Sequence, residues 1–226
     1  MSPMVIAKTL IRLEDVTCSF GAIHALKSVQ FQVESGELVF VTGVSGAGKT
    51  TLLRVLCGEL SPSRGRVQIA THSSSGQEIF IAPVFQDLRL MNDRTCESNI
   101  LLSNDPNHYD SNKMFKREMM ELCSVFGITD RLHVKIQDAN GGLKQKVAII
   151  RALLSKPDVL IADEPTSALD LESTRKVFEI INYYNIKKGM TIIWASHNRE
   201  LVKQFSGRIA HLDQGRLVYS GHACFI

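Results

Sequence analysis

Apolar residues along the chain follow two rhythms. The first is a set of short unbroken runs: Leu38-Val39-Phe40-Val41, residues 79–85, Val159-Leu160-Ile161-Ala162 and residues 191–196. Each stops at a glycine or a polar residue, as buried strands do. Shorter runs at 11–16, 31–33 and 67–69 predict small antiparallel strands near the N-terminus, and residues 209–212 and 217–219 predict a hairpin around Asp213-Gln214-Gly215. The second rhythm is helical. Residues 113–126 repeat apolar side chains at Met114, Phe115, Met119, Leu122, Val125 and Phe126, and helices are also predicted over 142–154 and 171–184. Lys156-Pro157-Asp158 ends the middle one. The serine-rich stretch 71–77 reads as a surface loop. Strand and helix alternate on both sides of a mainly helical stretch, which predicts an α/β protein with a helical insertion.

Composition narrows the class. The chain has 226 residues, 44% of them hydrophobic and 22% charged, enough for a substantial core. A net charge of +3 with dispersed lysines and arginines gives no basic stripe, so no nucleic-acid partner is expected. Cysteines 18, 57, 96, 123 and 224 are odd in number and never spaced as C-x-x-C, which indicates neither zinc nor a disulfide framework. No apolar run is long enough to span a bilayer, and Lys8 and Arg12 interrupt the N-terminal segment, so a cytoplasmic protein is expected.

The chemistry begins at GVSGAGKTT, residues 43–51, between a buried strand and the helical run Leu52-Leu53-Arg54-Val55-Leu56. Gly43, Gly46 and Gly48 let the backbone curl so that N–H groups point inward, and the following helix adds the positive end of its dipole. With Ser45, Ala47 and Thr51 they form a phosphate-holding loop. Lys49 reaches the outer phosphates, and the Thr50 hydroxyl is a ligand for Mg2+. Such a loop needs a carboxylate on a second buried strand, and Asp163 supplies it, followed at once by Glu164. The expected ligand is a nucleoside triphosphate, ATP or GTP.

In this order the motifs resemble the ATP-binding cassette (ABC) ATPases, and the resemblance covers nearly the whole chain. It implies a P-loop NTPase core, a mixed sheet flanked by helices, with an antiparallel N-terminal β-subdomain. On this expectation residues 1–226 form one cassette, with the core at 1–86 and 155–226 and the helical subdomain at about 87–154. The resemblance further implies that Phe20 stacks on adenine and that Gln86, in VFQD, touches the metal or the attacking water. It makes Glu164 the residue that polarises that water and His197, in WASHN, the γ-phosphate switch. The family's LSGGQ signature reads Ala139-Asn140-Gly141-Gly142-Leu143 here. Asn140, Gly141 and Gly142 are expected to contact the γ-phosphate bound to a second subunit. Asn140 can cap the helix and donate from its amide, whereas Leu143 cannot replace a glutamine's hydrogen bonds.

The same resemblance implies an ATPase using ATP and Mg2+, slow or partner-dependent because of the altered signature, acting as an ATP-dependent homodimer or heterodimer. The segments FVTGVSGAGKTTLLRVLCGE and VFQDLRLMNDRTCESNI look most like the cell-division ATPase FtsE, with the lipoprotein-release ATPase LolD and the macrolide-export ATPase MacB as alternatives. An FtsX-like integral membrane partner at the cytoplasmic face of the inner membrane is expected, docking near residues 86–91 through Leu88, Leu90 and Met91. Two other readings stand beside the motor: a nucleotide-dependent scaffold with little turnover, and, ranked last, a cassette acting on ribosomes or DNA.

Overall fold

The computed structural model describes residues 8–72, 76–197, 202 and 206–222. The chain opens with β1 (Thr9–Phe20), β2 (Ile23–Glu34), β3 (Leu38–Thr42), α1 (Lys49–Leu56), β4 (Arg64–Ile69) and β5 (Ile81–Val84). A helical stretch follows, α2 (Cys96–Leu101), α3 (Asn112–Val125) and α4 (Gly141–Leu154). It closes with β6 (Val159–Asp163), α5 (Leu171–Lys188), β7 (Thr191–Ala195), β8 (Arg208–Asp213) and β9 (Arg216–His222).

The unbroken apolar runs become the inner strands of a six-stranded sheet, ordered β5-β6-β7-β3-β8-β9. All neighbours pair in parallel except β8 and β9. Every residue of β3, β6 and β7 is buried, because both faces of the sheet are covered. The two faces separate by alternation. Leu38, Phe40, Leu160, Ala162, Ile192 and Trp194 point into a cluster shared with the helices of 96–154 and with α5. Val39, Val41, Val159, Ile161, Ile193 and Ala195 point into a second cluster, formed with α1 and a three-stranded antiparallel sheet ordered β2-β1-β4. This mixed sheet with helices and an antiparallel subdomain is the architecture expected from the sequence.

Four parallel strands end at the same edge of the sheet. The glycine loop follows β3, Gln86 follows β5, Asp163 and Glu164 end β6, and His197 follows β7. In sheets of this kind ligands bind at the carboxyl ends of the strands.

The helical stretch differs from expectation in detail. On α3 the buried positions are Phe115, Met119, Leu122 and Cys123, with Phe126 just beyond, whereas Met114 and Val125 are 42% and 52% exposed. The buried arc is turned toward α4, which takes Cys123 into the apolar seam in place of its neighbours. Helix α2, too short to show a period, is started by Thr95, whose side chain accepts from the Ser98 N–H. Helix α5 continues four residues past Tyr184 until Gly189, at φ 68°, ends it, with Lys187 and Lys188 at the negative end of its dipole.

The three apolar residues expected to form a docking surface at residues 86–91 differ in exposure. Leu88 and Leu90 are half-buried against the chain's own core, leaving Met91, 44% exposed, as the outward apolar side chain. The cause is the backbone: Leu88 and Arg89 both adopt left-handed φ, and Arg151 of α4 donates to the Leu88 and Arg89 carbonyls at 2.9 and 2.8 Å. The predicted loop at 71–77 shows a bridge between Thr71 and Glu78, while residues 73–75 lie outside the described residues, as do the N-terminal residues 1–7 and Cys224.

In the core, Trp194 of β7 stacks on Phe178 of α5, ring centres 4.1 Å apart at 22°. Phe178→Ala is expected to lower stability by about 3–5 kcal/mol, read from thermal or urea unfolding. A loss below about 1 kcal/mol would mean that α5 is not packed on the sheet as described.

Candidate functional site

The glycine loop is closed from behind by backbone. A Cβ on Gly48, at φ 104°, would lie 2.5 Å from the Ala25 carbonyl oxygen, and one on Gly43, at φ 150°, would collide with the Leu212 carbonyl. The Ala47 carbonyl accepts from the Gly215 N–H, and the Gly215 carbonyl accepts from the Lys27 N–H, so the β8–β9 turn and β2 brace the loop together. Helix α1 begins at Lys49, with Gly48 in the capping position and no side chain covering its free N–H groups. The Lys49 ammonium donates to the Gly43 and Val44 carbonyls at 2.9 and 3.2 Å, which folds it over the loop.

The carboxyl ends of β6 and β7 complete the arrangement. Asp163 is buried, and its Oδ2 accepts from the Thr50 hydroxyl at 2.6 Å, although β7 lies between β6 and β3, the strands that lead to them. Glu164, in left-handed conformation at φ 51°, places Oε1 2.8 Å from Nδ1 of His197. Gln86 is exposed on the same side. Ser45, Gly46, Gly48, Lys49, Thr50 and Thr51 line one cavity of about 740 Å3, and Gln86, Asp163, Glu164 and His197 line it too. Gly43 and Ala47 sit behind its wall. Phe20, 53% exposed, stands at the β1–β2 turn outside the lining, where the nearby Ile23 takes part.

These residues suit a nucleotide triphosphate with a hard divalent cation. The Thr50 hydroxyl spends its hydrogen on Asp163, which leaves its lone pairs free to accept a cation. One hydroxyl and an acidic partner suit Mg2+, which keeps most of its shell as water and phosphate oxygen.

Asn140, Gly141 and Gly142 do not reach this cavity. They line a second one, of about 490 Å3, with Arg131, Lys146 and Asp170. As expected, Asn140 caps α4, its Oδ1 accepting from the Leu143 N–H at 2.8 Å, which leaves the amide hydrogens to donate elsewhere. Leu143 is buried in the helical core. An apolar residue at this position is thus satisfied by packing.

Residues 26–167 match the family model described as ABC transporter. The chain belongs to that family. Its ABC relatives include the methionine import ATP-binding protein MetN of Rhizobium etli, 35% identical over 227 residues, and that of Clostridioides difficile, 34% identical over 220 residues. These alignments take in 97% and 94% of this chain but 63% and 68% of the relatives, so the chain spans about two thirds of their length. Among solved structures, the ATP-binding cassette MJ0796, dimeric and bound to ADP and Pi, superposes with TM-score 0.82 at 25% identity, covering 96% of this chain and all of that one. An ATP-binding subunit of an ABC transporter gives TM-score 0.84 at 26% identity, covering 95% and 90%. Cassettes of the family are ATPases that dimerise and pair with membrane permeases. Among the described residues of this cassette, no helix is long and apolar enough to cross a membrane.

Several residues of the cassette's cavity escaped sequence reasoning. His24, Ala25 and Lys27 of β2, and Gln214 and Gly215 of the β8–β9 turn line it, yet belong to no spaced motif. The one available signal was the turn at Asp213-Gln214-Gly215, read only as a hairpin.

Arg89, also unmarked in the sequence, ties the Gln86 loop to the end of α1. Its guanidinium pairs with both carboxylate oxygens of Glu59 and lies 5.0 Å from the centre of the Phe85 ring. Hydrogen bonding to Arg89 holds the Glu59 carboxyl below the ordinary carboxylate value. A lowered native pKa stabilises the fold above the unfolded pKa, and the contribution is lost as pH falls through the native one. Glu59→Gln is therefore expected to cost at most about 1 kcal/mol at pH 7. The gap to wild type should close below about pH 4, and unfolding curves at both pH values check this.

Proposed function

We propose that this chain hydrolyses ATP as the motor subunit of an ABC transporter, at the interface of two cassettes arranged head to tail. The observation that carries the reading is the convergence of Lys49, Thr50, Gln86, Asp163, Glu164 and His197 on one cavity, with Asn140, Gly141 and Gly142 facing a different one. Phosphate-binding elements split between two surfaces are completed when a second chain presents its Asn140–Gly142 edge to the first cavity.

In this reading the loop N–H groups and the start of α1 hold the phosphates, and Lys49 leaves its loop carbonyls to pair with the outer ones. Thr50 and Asp163, with Gln86, would hold Mg2+, which would supply charge neutralisation at the phosphate oxygens. Glu164 orients and polarises the attacking water. His197, donating from Nδ1 to the ionised Glu164, fixes the direction of that carboxylate and offers its other nitrogen to the γ-phosphate side. Phe20 is assigned to the adenine face. The protein's contribution is positioning and charge stabilisation.

For the membrane partner, the names of the relatives favour an importer permease, and methionine or a similar small solute is the corresponding cargo. The FtsE-like reading, with an FtsX-like partner, rests on the resemblance of residues 40–59 and 84–100, and neither relative named above carries that name. In both, the cassette sits at the cytoplasmic face of the membrane. Co-purification with candidate permeases separates the two.

The deciding experiment compares ATP turnover and ATP-induced dimerisation in wild type and Glu164→Gln. Wild type is expected to turn over, and the variant to lose about 100-fold or more in kcat while accumulating an ATP-bound dimer. ATP binding with neither turnover nor dimerisation in wild type would overturn the motor reading in favour of a scaffold.

A further inference from the structure

Helix α4 carries a polar side chain into its buried face. Gln145 is 5% exposed, and its amide is fully engaged on the segment that follows β6. Its Oε1 accepts from the Ala168 N–H at 3.0 Å, and its Nε2 donates to the Ser167 hydroxyl at 2.9 Å and reaches toward the Glu164 carbonyl at 3.5 Å. That segment is a tight reversal. Glu164 is left-handed, the Ser167 N–H donates to the Glu164 carbonyl at 3.1 Å, and the Leu169 N–H donates to that of Thr166 at 3.1 Å. A left-handed residue other than glycine costs about 1 kcal/mol or more and persists only where its surroundings hold it. Here the holding groups are the Ala195 carbonyl, accepting from the Glu164 N–H at 3.0 Å, and Gln145 on the opposite side.

The start of α4 presses on the same segment. A Cβ on Gly141 would lie 3.2 Å from the Ala168 side chain, and one on Gly142 would lie 3.1 Å from the Ala168 carbonyl. The edge that faces the second cavity and the turn that carries Glu164 into the first are therefore in contact, with Gln145 as the hydrogen-bonded link between them.

We propose that Gln145 is a positioning residue for hydrolysis: it locks the Glu164–Ala168 turn to the first turns of α4, so that Glu164 is in place only while α4 is seated. The proposal rests on the reading of Glu164 as the residue that activates water. It makes the phosphate-contacting edge of each chain and its own Glu164 parts of one body, so that seating α4 on a partner's nucleotide is felt at the Glu164 of the same chain.

The test uses Gln145→Leu, which keeps the bulk and removes all three polar contacts, and Gln145→Glu, which can still accept from Ala168 and, with the Ser167 hydroxyl turned, from Ser167. Hydrogen exchange of the 164–170 backbone is followed without nucleotide, and ATP binding and turnover are measured on the same preparations. For the Leu variant, exchange at the Ala168 amide is expected to rise about tenfold or more, KM to stay within about twofold and kcat to fall about tenfold. The Glu variant should recover kcat to within about threefold of wild type. Unchanged exchange in the Leu variant overturns the proposal, and so does raised exchange with turnover within about twofold of wild type. Should the Leu variant fail to fold, Ser167→Ala decides: a loss of about threefold in kcat supports the link and no change refutes it. Absence of turnover in wild type would instead refute the ATPase reading, while the exchange measurement still decides whether Gln145 holds the turn.

Discussion

Neither Gly43 nor Gly48 has room for a side chain, and that exclusion fixes the geometry of the rest of the site. The Ala25 and Leu212 carbonyls stand where the two Cβ atoms would be, so β2 and the end of β8 lie directly behind the loop. The loop can only curl toward the open edge of the sheet, and in curling it brings Lys49 over its own carbonyls and α1 to the cavity. From there the order of the sheet does the remainder. With β3 beside β7 and β7 beside β6, all parallel, the residues after each strand meet the loop within one cavity.

The opposite side of the molecule carries a different kind of order. The helices of 96–154 share one apolar cluster with a whole face of the sheet, so α4 is anchored to the strands by packing and to the loop after β6 by hydrogen bonds. Two arginines extend the anchoring. Arg151 holds the carbonyls of the Gln86 loop from α4, and Arg89 holds the same loop to Glu59 beyond α1. The loop that bears Gln86 therefore connects the phosphate-binding helix with the helical part of the cassette. The buried, paired amide of Gln145 suits such a joint, because displacing it leaves an unsatisfied polar group in a place of low dielectric.

The ABC relationship places this arrangement among cassettes solved as dimers, and the altered signature keeps its structural half. Asn140 caps α4 as a serine would, and Leu143 finds packing where a glutamine would need partners. The helix start is thus preserved while its hydrogen-bonding surface changes.

The sequence alone determined the strands and helices whose rhythm is strong, and it marked, in spaced motifs, most of the residues that the fold gathers at one cavity. The reason is local: a run buried on both faces must be apolar throughout, and a phosphate loop needs glycine and lysine within a few bonds of one another. Tertiary structure alone decided what depends on contacts between distant segments. It turned Leu88 and Leu90 inward, rotated the buried arc of α3 away from Met114 and Val125, and set His24, Lys27 and Gln214 around the cavity. Gln145 shows the difference most clearly. Its type and position on a helix are written in the chain, but its partners lie 22 and 23 residues away, and only the packing of α4 against the end of β6 brings them within hydrogen-bond reach.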